Sequence, residues 1–379
     1  MSVKYIDEYR DGRLAGVFAA QIAEAVHPER AYRFMEFCGG HTHAISRFGI
    51  ADLLPANVRM IHGPGCPVCV LPVGRIDMAI QLARRPDVTL CTYGDLMRVP
   101  GSRGASLLKA KAAGADIRMV YSTLDALRIA EAEPSREVVF FAIGFETTTP
   151  PTALAIRRAA ARGLANFSVF CNHVLTPSAI RAILESPGEA GGMRVDGFIG
   201  PSHVSTVIGT EPYDFAARTF GKPVVVTGFE PVDVMQAILM LIRQLNEGRC
   251  EVENQYVRAV TRTGNRIAQA EIAEVFEPRD SFEWRGLGEI PRSGLRLKPA
   301  YAAFDAERRF ALQGITGRDN PACECGEILR GEKRPADCKL FGTACTPDTP
   351  MGACMVSSEG ACAAHWTYGR FRDLARRVA

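Results

Sequence analysis

Two thiols separated by two residues, Cys66 and Cys69, lie in the stretch Ile61-His62-Gly63-Pro64-Gly65-Cys66-Pro67-Val68-Cys69-Val70. Such a pair can close a short disulfide or offer two thiolates to a metal, and a helix N-terminus beside it lowers a thiol's pKa. Spacing alone does not separate redox work, metal binding and an incidental structural pair. The Gly-Pro-Gly turn follows an apolar run (Val58, Met60, Ile61), which puts both thiols on a tight loop at the end of a strand. A second concentration is Cys38-Gly39-Gly40-His41-Thr42-His43, where a thiol, two glycines and two imidazoles share six residues. Glycines admit a ligand close to the backbone, and a thiolate beside a potentially cationic imidazole is favoured and more nucleophilic. The plainer alternative is that His41 or His43 caps the following helix or packs on it.

The C-terminal region carries a third set. Cys325, Cys338, Cys345 and Cys362 are separated by 12, 6 and 16 residues, with Cys323 and Cys354 as extra thiols, among many Gly and Pro. Four thiolates on loops hold either zinc or an iron–sulfur cluster. Zinc sites favour paired Cys-x-x-Cys knuckles, which this region lacks, so the pattern favours a cluster and leaves open which four of the six thiols bind. Glu146 with Thr147, Thr148 and Thr149 precedes Pro150 and reads as a helix start. Capping explains the threonines, and free N–H groups there would also suit an anion. His173 and His203 each close a separate strand, where a hydrogen-bonded structural histidine is the ordinary reading. Cys91, Cys171 and Cys250 sit in plain contexts and read as small hydrophobes. Gly101-Ser102-Arg103-Gly104 is too degenerate for a phosphate loop, and no P-loop, dinucleotide fingerprint or serine nucleophile elbow occurs.

The elements that must position these groups alternate. A helical pattern over 8–27 is followed by short apolar strands at about 32–37, 58–62, 88–92 and 117–121, with helices near 43–52, 73–84, 104–113 and 123–132. The rhythm continues with strands at about 138–143, 167–171, 196–199 and 223–227 and helices near 150–162, 177–185, 204–219 and 232–246. Alternation of this kind makes parallel sheets covered on both faces. The expected fold is therefore α/β: two similar parallel-sheet units facing a cleft, plus an irregular cysteine-rich iron–sulfur domain. A first unit is expected over 31–133, a second over 134–248, and the cluster domain over 249–379 together with the N-terminal helix of 1–30. A weak echo, Gly144-Phe145-Glu146 against Gly228-Phe229-Glu230, supports the likeness. Ligands of open parallel sheets bind beyond the carboxyl ends of the strands, which is where these loops fall.

Composition bounds the function. With 379 residues, 47% of them hydrophobic, the chain can build two or three cores. Its net charge of +3, from 45 basic and 42 acidic residues without basic blocks, suggests neither nucleic acid nor a membrane surface as partner. The N-terminus lacks the apolar core of a signal peptide and no run reaches membrane-spanning length, so a cytoplasmic protein is expected. Twelve cysteines in a reducing compartment point to metal or thiol chemistry rather than a disulfide framework.

Several motifs together resemble one family. Cys38 to His43, Gly63 to Cys69, Gly144-Phe145-Glu146-Thr147-Thr148-Thr149-Pro150, Pro201-Ser202-His203-Val204-Ser205 and Met355-Val356-Ser357-Ser358-Glu359-Gly360-Ala361-Cys362-Ala363-Ala364 look like the HypD hydrogenase maturation proteins, along essentially the whole chain. The resemblance implies a scaffold for the Fe(CN)2CO centre of nickel–iron hydrogenases, working with a small HypC-type chaperone and receiving cyanide from a HypE-type partner. It implies that Cys38 holds the iron, with His41, His43, Glu146, Thr147 and His203 close by, and that Cys66 and Cys69 form a redox-active pair. It further implies a 4Fe-4S cluster on Cys325, Cys338, Cys345 and Cys362. Two rivals stand beside it: an iron–sulfur thiol–disulfide oxidoreductase using Cys66 and Cys69, and a binding module with structural zinc.

Overall fold

The computed structural model describes residues 4, 6–185, 195–312, 315 and 317–370. The first three residues, part of the stretch lacking a signal-peptide core, and residues 371–379 of the expected cluster domain lie outside that set. Nine parallel strands make two sheets. In chain order they are β1 (Tyr32–Glu36), β2 (Val58–His62), β3 (Val88–Thr92), β4 (Ile117–Met119), β5 (Glu137–Gly144), β6 (Phe167–His173), β7 (Gly197–Pro201), β8 (Val224–Thr227) and β9 (Val252–Asn254). One sheet runs β2-β1-β7-β8-β9 and the other β4-β3-β5-β6. The first eight fall where apolar runs predict them. In β5, Val138, Phe140 and Ala142 face one apolar cluster while Val139, Phe141 and Ile143 face another, so both faces are covered, as a parallel sheet requires.

The pairing redraws the expected units over 31–133 and 134–248. The chain begins one sheet with β1 and β2, builds the whole of the other with β3 to β6, and returns to complete the first with β7 to β9. Strand–helix alternation marks the strands and their parallel sense, but a crossover of a dozen or more residues reaches either sheet equally well. The returning strand keeps register: Glu36 at the end of β1 lies against His62 of β2 on one side and Ile199 of β7 on the other.

The segment beyond 248 is also less separate than expected. Its first residues form β9, and the helix Arg266–Val275 packs on the helix Thr149–Ala161 that covers the second sheet. The N-terminal helix, Gly12–Ala25, packs against Pro231–Asn246 on the first sheet rather than on the cysteine-rich region. Ile22 enters that sheet's core, and Asn246 Nδ2 donates to the Ala25 carbonyl. The expected helix over 204–219 is two pieces, Ser202–Ile208 and Asp214–Phe220. Gly209 between them has φ 80°, and the backbone of Arg262 and Thr263 crowds the place of its missing side chain. Two antiparallel pairs follow, Phe276–Pro278 with Leu295–Leu297 and Ser281–Trp284 with Gly288–Pro291, anchored by buried Trp284, whose indole N–H donates to Ser293 Oγ. The cysteine-rich segment is short turns and helices, including Cys325–Leu329, Ala353–Met355 and Ala361–Ala364. Among the described residues no helix is long and apolar enough to cross a membrane.

Candidate functional site

β1 delivers Cys38 to the N-cap of the helix Gly39–Phe48, where its Sγ accepts the Gly40 N–H at 3.3 Å. β7 delivers His203 to the same point, with Nδ1 3.4 Å from Cys38 Sγ. A cavity of about 370 Å³ opens there, lined among others by Cys38, Gly40, His43, His203, Phe229 and Glu359. Side chains at 39 and 40 would collide with Glu359 and Phe229, so the two glycines let these neighbours close on the thiol. A second cavity of about 570 Å³ lies beyond the carboxyl ends of β3 and β5, bordered by Asp95, Gly144, Thr147 and Thr148. His203, Ser358 and Glu359 border both cavities.

The Cys66 loop sits directly against Cys38. A side chain on Gly65 would run into the Cys38 backbone, and the Gly39 N–H donates to the Gly65 carbonyl at 3.1 Å. Cys66 caps the short helix Pro67–Val70, its Sγ accepting the Cys69 N–H at 3.3 Å. Both are free thiols, 3% and 0% exposed.

Burial decides the electrostatics. It drives the Cys38 thiol well above its usual range, and the charges of Glu359 and Glu36 push the same way, outweighing the helix N–H groups that oppose them. Neither His203 nor His41 supplies a cationic imidazole: burial holds both at about 4, so they are neutral at pH 7. Cys38 is therefore a neutral thiol until a cation arrives to take its proton's place. Cys69 is raised likewise, by burial and then by Cys66 and Cys362. His41 Nε2 faces the carbonyls of Gly228 at 2.9 Å and Thr227 at 3.2 Å, so the proton sits on Nε2. Its Nδ1 is left bare and buried without a partner. His43 stands on the cavity wall, with Nδ1 3.3 Å from the Ser358 carbonyl and its ring edge-on to Tyr368.

Other candidates lie further off. Glu146 turns inward, accepting from Thr176 N–H and Oγ1, both at 2.9 Å, and burial raises it to about 7. Thr148 and Thr149 donate to the Phe145 carbonyl instead of capping the helix, while Thr147 borders the larger cavity. His173 is structural, hydrogen-bonded to Thr152 Oγ1 at 3.0 Å. Glu36 and His62 belong to the site although no motif marks them. The only hint is an acid inside the apolar run Tyr32-Arg33-Phe34-Met35-Glu36-Phe37.

All six C-terminal thiols line one cavity. Cys325, expected as a cluster ligand, is bonded to Cys354 at this cavity. The free thiols around that cavity are Cys323, Cys338, Cys345 and Cys362, and the charges that raise Cys362, after burial, are those of the other three. Among the described residues no three Cys, His, Asp or Glu converge to hold a single ion. The helix Ala361–Ala364 packs on Gly39–Phe48, and Ala353–Met355 packs on Pro67–Val70, so this region is the wall of the Cys38 and Cys66 loops.

Fold and site together define a two-sheet α/β protein with buried thiols gathered at the carboxyl ends of its strands. The HypD model, described as "Hydrogenase formation hypA family", matches residues 13–369. The chain is 74% identical over 378 residues to "Hydrogenase maturation factor HypD" of Rhizobium leguminosarum bv. viciae, covering 99% of this chain and 98% of that one. It is 65% identical over 378 residues to "Hydrogenase expression/formation protein HupD" of Azotobacter chroococcum mcd 1, covering all of both. It is 50% identical over 371 residues to "Hydrogenase maturation factor HypD" of Escherichia coli (strain K12), covering 97% and 98%. The chain belongs to the HypD family of hydrogenase maturation factors.

Proposed function

We propose that this protein is the scaffold on which the Fe(CN)2CO centre of a nickel–iron hydrogenase is assembled, with Cys38 as the thiolate that holds the iron. One observation carries the reading: a thiol at a helix N-terminus, 3.4 Å from an imidazole, bordering a cavity of about 370 Å³ cleared by Gly39 and Gly40. A single soft thiolate suits low-spin ferrous iron and leaves positions for diatomic ligands and for a second protein's donor. That second protein is a small HypC-type chaperone and the cyanide comes from a HypE-type donor, with the two cavities forming the cleft into which both reach. The compartment is the cytoplasm, where ten free cysteines stay reduced.

The donor set fits a 4Fe-4S cluster held by Cys323, Cys338, Cys345 and Cys362, with Cys323 in the place expected of Cys325. Cysteines set among apolar neighbours line that cavity, a soft donor set that suits a cluster. When bound, such a cluster supplies electrons one at a time. Cys66 and Cys69 are the redox-active pair. Their burial puts them out of reach of a bulky disulfide substrate, which weighs against a generic oxidoreductase.

The test is an infrared spectrum of anaerobically purified protein, co-produced with its small partner, as wild type and as Cys38→Ala. Iron-bound cyanide and carbon monoxide bands are expected in the first and absent from the second. Bands that persist in the variant move the iron to another thiol, and bands absent from both samples refute the scaffold.

A further inference from the structure

Glu36 is fully buried at the carboxyl end of β1, in an otherwise apolar core. A carboxylate there costs several kcal/mol unless donors surround it, and three do. Oε2 accepts the Cys38 backbone N–H at 2.9 Å, and Oε1 accepts from Thr42 Oγ1 and from His62 Nδ1 at 2.9 Å. These donors belong to different parts of the site. Cys38 is the thiol itself, Thr42 lies one turn into the helix that Cys38 caps, and His62 is the last residue before Gly63-Pro64-Gly65-Cys66. The backbone repeats the connection: the Gly63 N–H donates to the Glu36 carbonyl at 2.9 Å, and the Gly39 N–H to Gly65.

From this geometry we propose that Glu36 is the positioning residue of the site, one carboxylate that fixes the Cys38 loop and the Cys66 loop against each other. It touches neither thiol's sulfur and acts through the backbone of one loop and the histidine that starts the other. Both loops are rich in glycine and are otherwise joined by the two backbone bonds above. A side chain with two acceptor atoms between them sets one relative position. The inference deepens the scaffold reading and rests on it for its meaning, yet the thiols report on it without any iron present.

The experiment uses the full chain, purified anaerobically without partners. Iodoacetamide labelling with peptide mass spectrometry gives the alkylation rates of Cys38, Cys66 and Cys69, and hydrogen exchange gives the protection of Cys38, Gly63 and Gly65 amides. In Glu36→Ala, Cys38 and Cys66 are expected to alkylate about tenfold faster than in wild type, with amide protection lost at both loops and retained in β5 and β6. Glu36→Gln keeps an acceptor for the Cys38 N–H and is expected to restore Cys38 to within about twofold of wild type. His62→Ala frees only the second loop and is expected to accelerate Cys66 more than Cys38. If Glu36→Ala does not fold, the other two variants decide. The proposal is overturned by rates within twofold of wild type in Glu36→Ala, by a Gln variant as labile as the Ala one, or by equal effects of His62→Ala on both thiols. Since no iron centre is involved, failure here leaves the infrared test of the scaffold untouched.

Discussion

At the residue scale, burial outranks the local signals that sequence displays. Cys38 caps a helix and has histidines beside it, both of which argue for a thiolate, yet desolvation keeps it protonated. His173 shows the same force where no chemistry is at stake. Burial lowers it from 6.5 to about 4 while it bonds Thr152. Between those values the unfolded chain binds a proton that the folded one refuses, so this histidine's contribution is complete above pH 6.5 and is lost as pH falls towards 4. The loss amounts to about 3 kcal/mol over that window. Urea unfolding of wild type and His173→Gln at pH 7 and pH 5 checks it: the variant's acid slope is expected to be shallower by about one proton. Equal slopes would mean that His173 is not held neutral. Cys38 and Cys66 stand out in the sequence by type and spacing, whereas His203 reads there as a structural histidine and enters the site only through the family resemblance. Glu36 does not stand out, because its significance lies in which backbone and side-chain donors converge on it, and no spacing records that.

At the element scale, the alternation of apolar strands and amphipathic helices locates eight strands and most helices to within a few residues. It does not partition them, because β3 to β6 are spliced into a sheet begun by β1 and β2, and each crossover is equally plausible in sequence. β9 escapes for a simpler reason, being three residues of half-buried edge strand with no apolar run. What the partition achieves is to set the ends of β1, β2 and β7 side by side, bringing Cys38, the Cys66 loop and His203 together across 165 residues of chain. Gly65 is the point of tightest approach. Gly65→Ala is expected to destabilise by about 1–3 kcal/mol and to raise Cys38 alkylation, since the Cys38 backbone cannot give way as a flexible side chain would. Gly16→Ala, in the exposed middle of the helix Gly12–Ala25 with open space around it, is expected to stabilise by about 0.5–1 kcal/mol. Thermal melts of both variants, read beside Cys38 labelling, check the pair; a neutral Gly65→Ala would show that the two loops are not in close register.

At the scale of the whole molecule, no contiguous half of the chain contains the site. The first sheet supplies Cys38 and His203, its edge strand leads into Cys66 and Cys69, and the C-terminal segment closes over all of them through Glu359 and Cys362. That segment buries Ile328, Leu329, Met355 and Val356 in the main core and gathers its sulfurs, a Cys325–Cys354 bond and four free thiols, around one cavity. The two kinds of sulfur have separable consequences. A Cys325→Ser, Cys354→Ser double variant removes the cross-link and leaves all four proposed ligands, so brown colour, visible absorbance and four irons per chain are expected to survive. Cys323→Ser removes a proposed ligand and is expected to lose them. Because Ala353–Met355 and Ala361–Ala364 pack on the Cys66 and Cys38 helices, loss of the cluster is also expected to loosen the wall of the active cavity. Cys38 and Cys69 should then alkylate several-fold faster in Cys323→Ser than in the double variant. Iron analysis, absorbance and labelling on wild type and both variants separate the possibilities. Colour retained in Cys323→Ser but lost in the double variant would make Cys325 a ligand in place of Cys323.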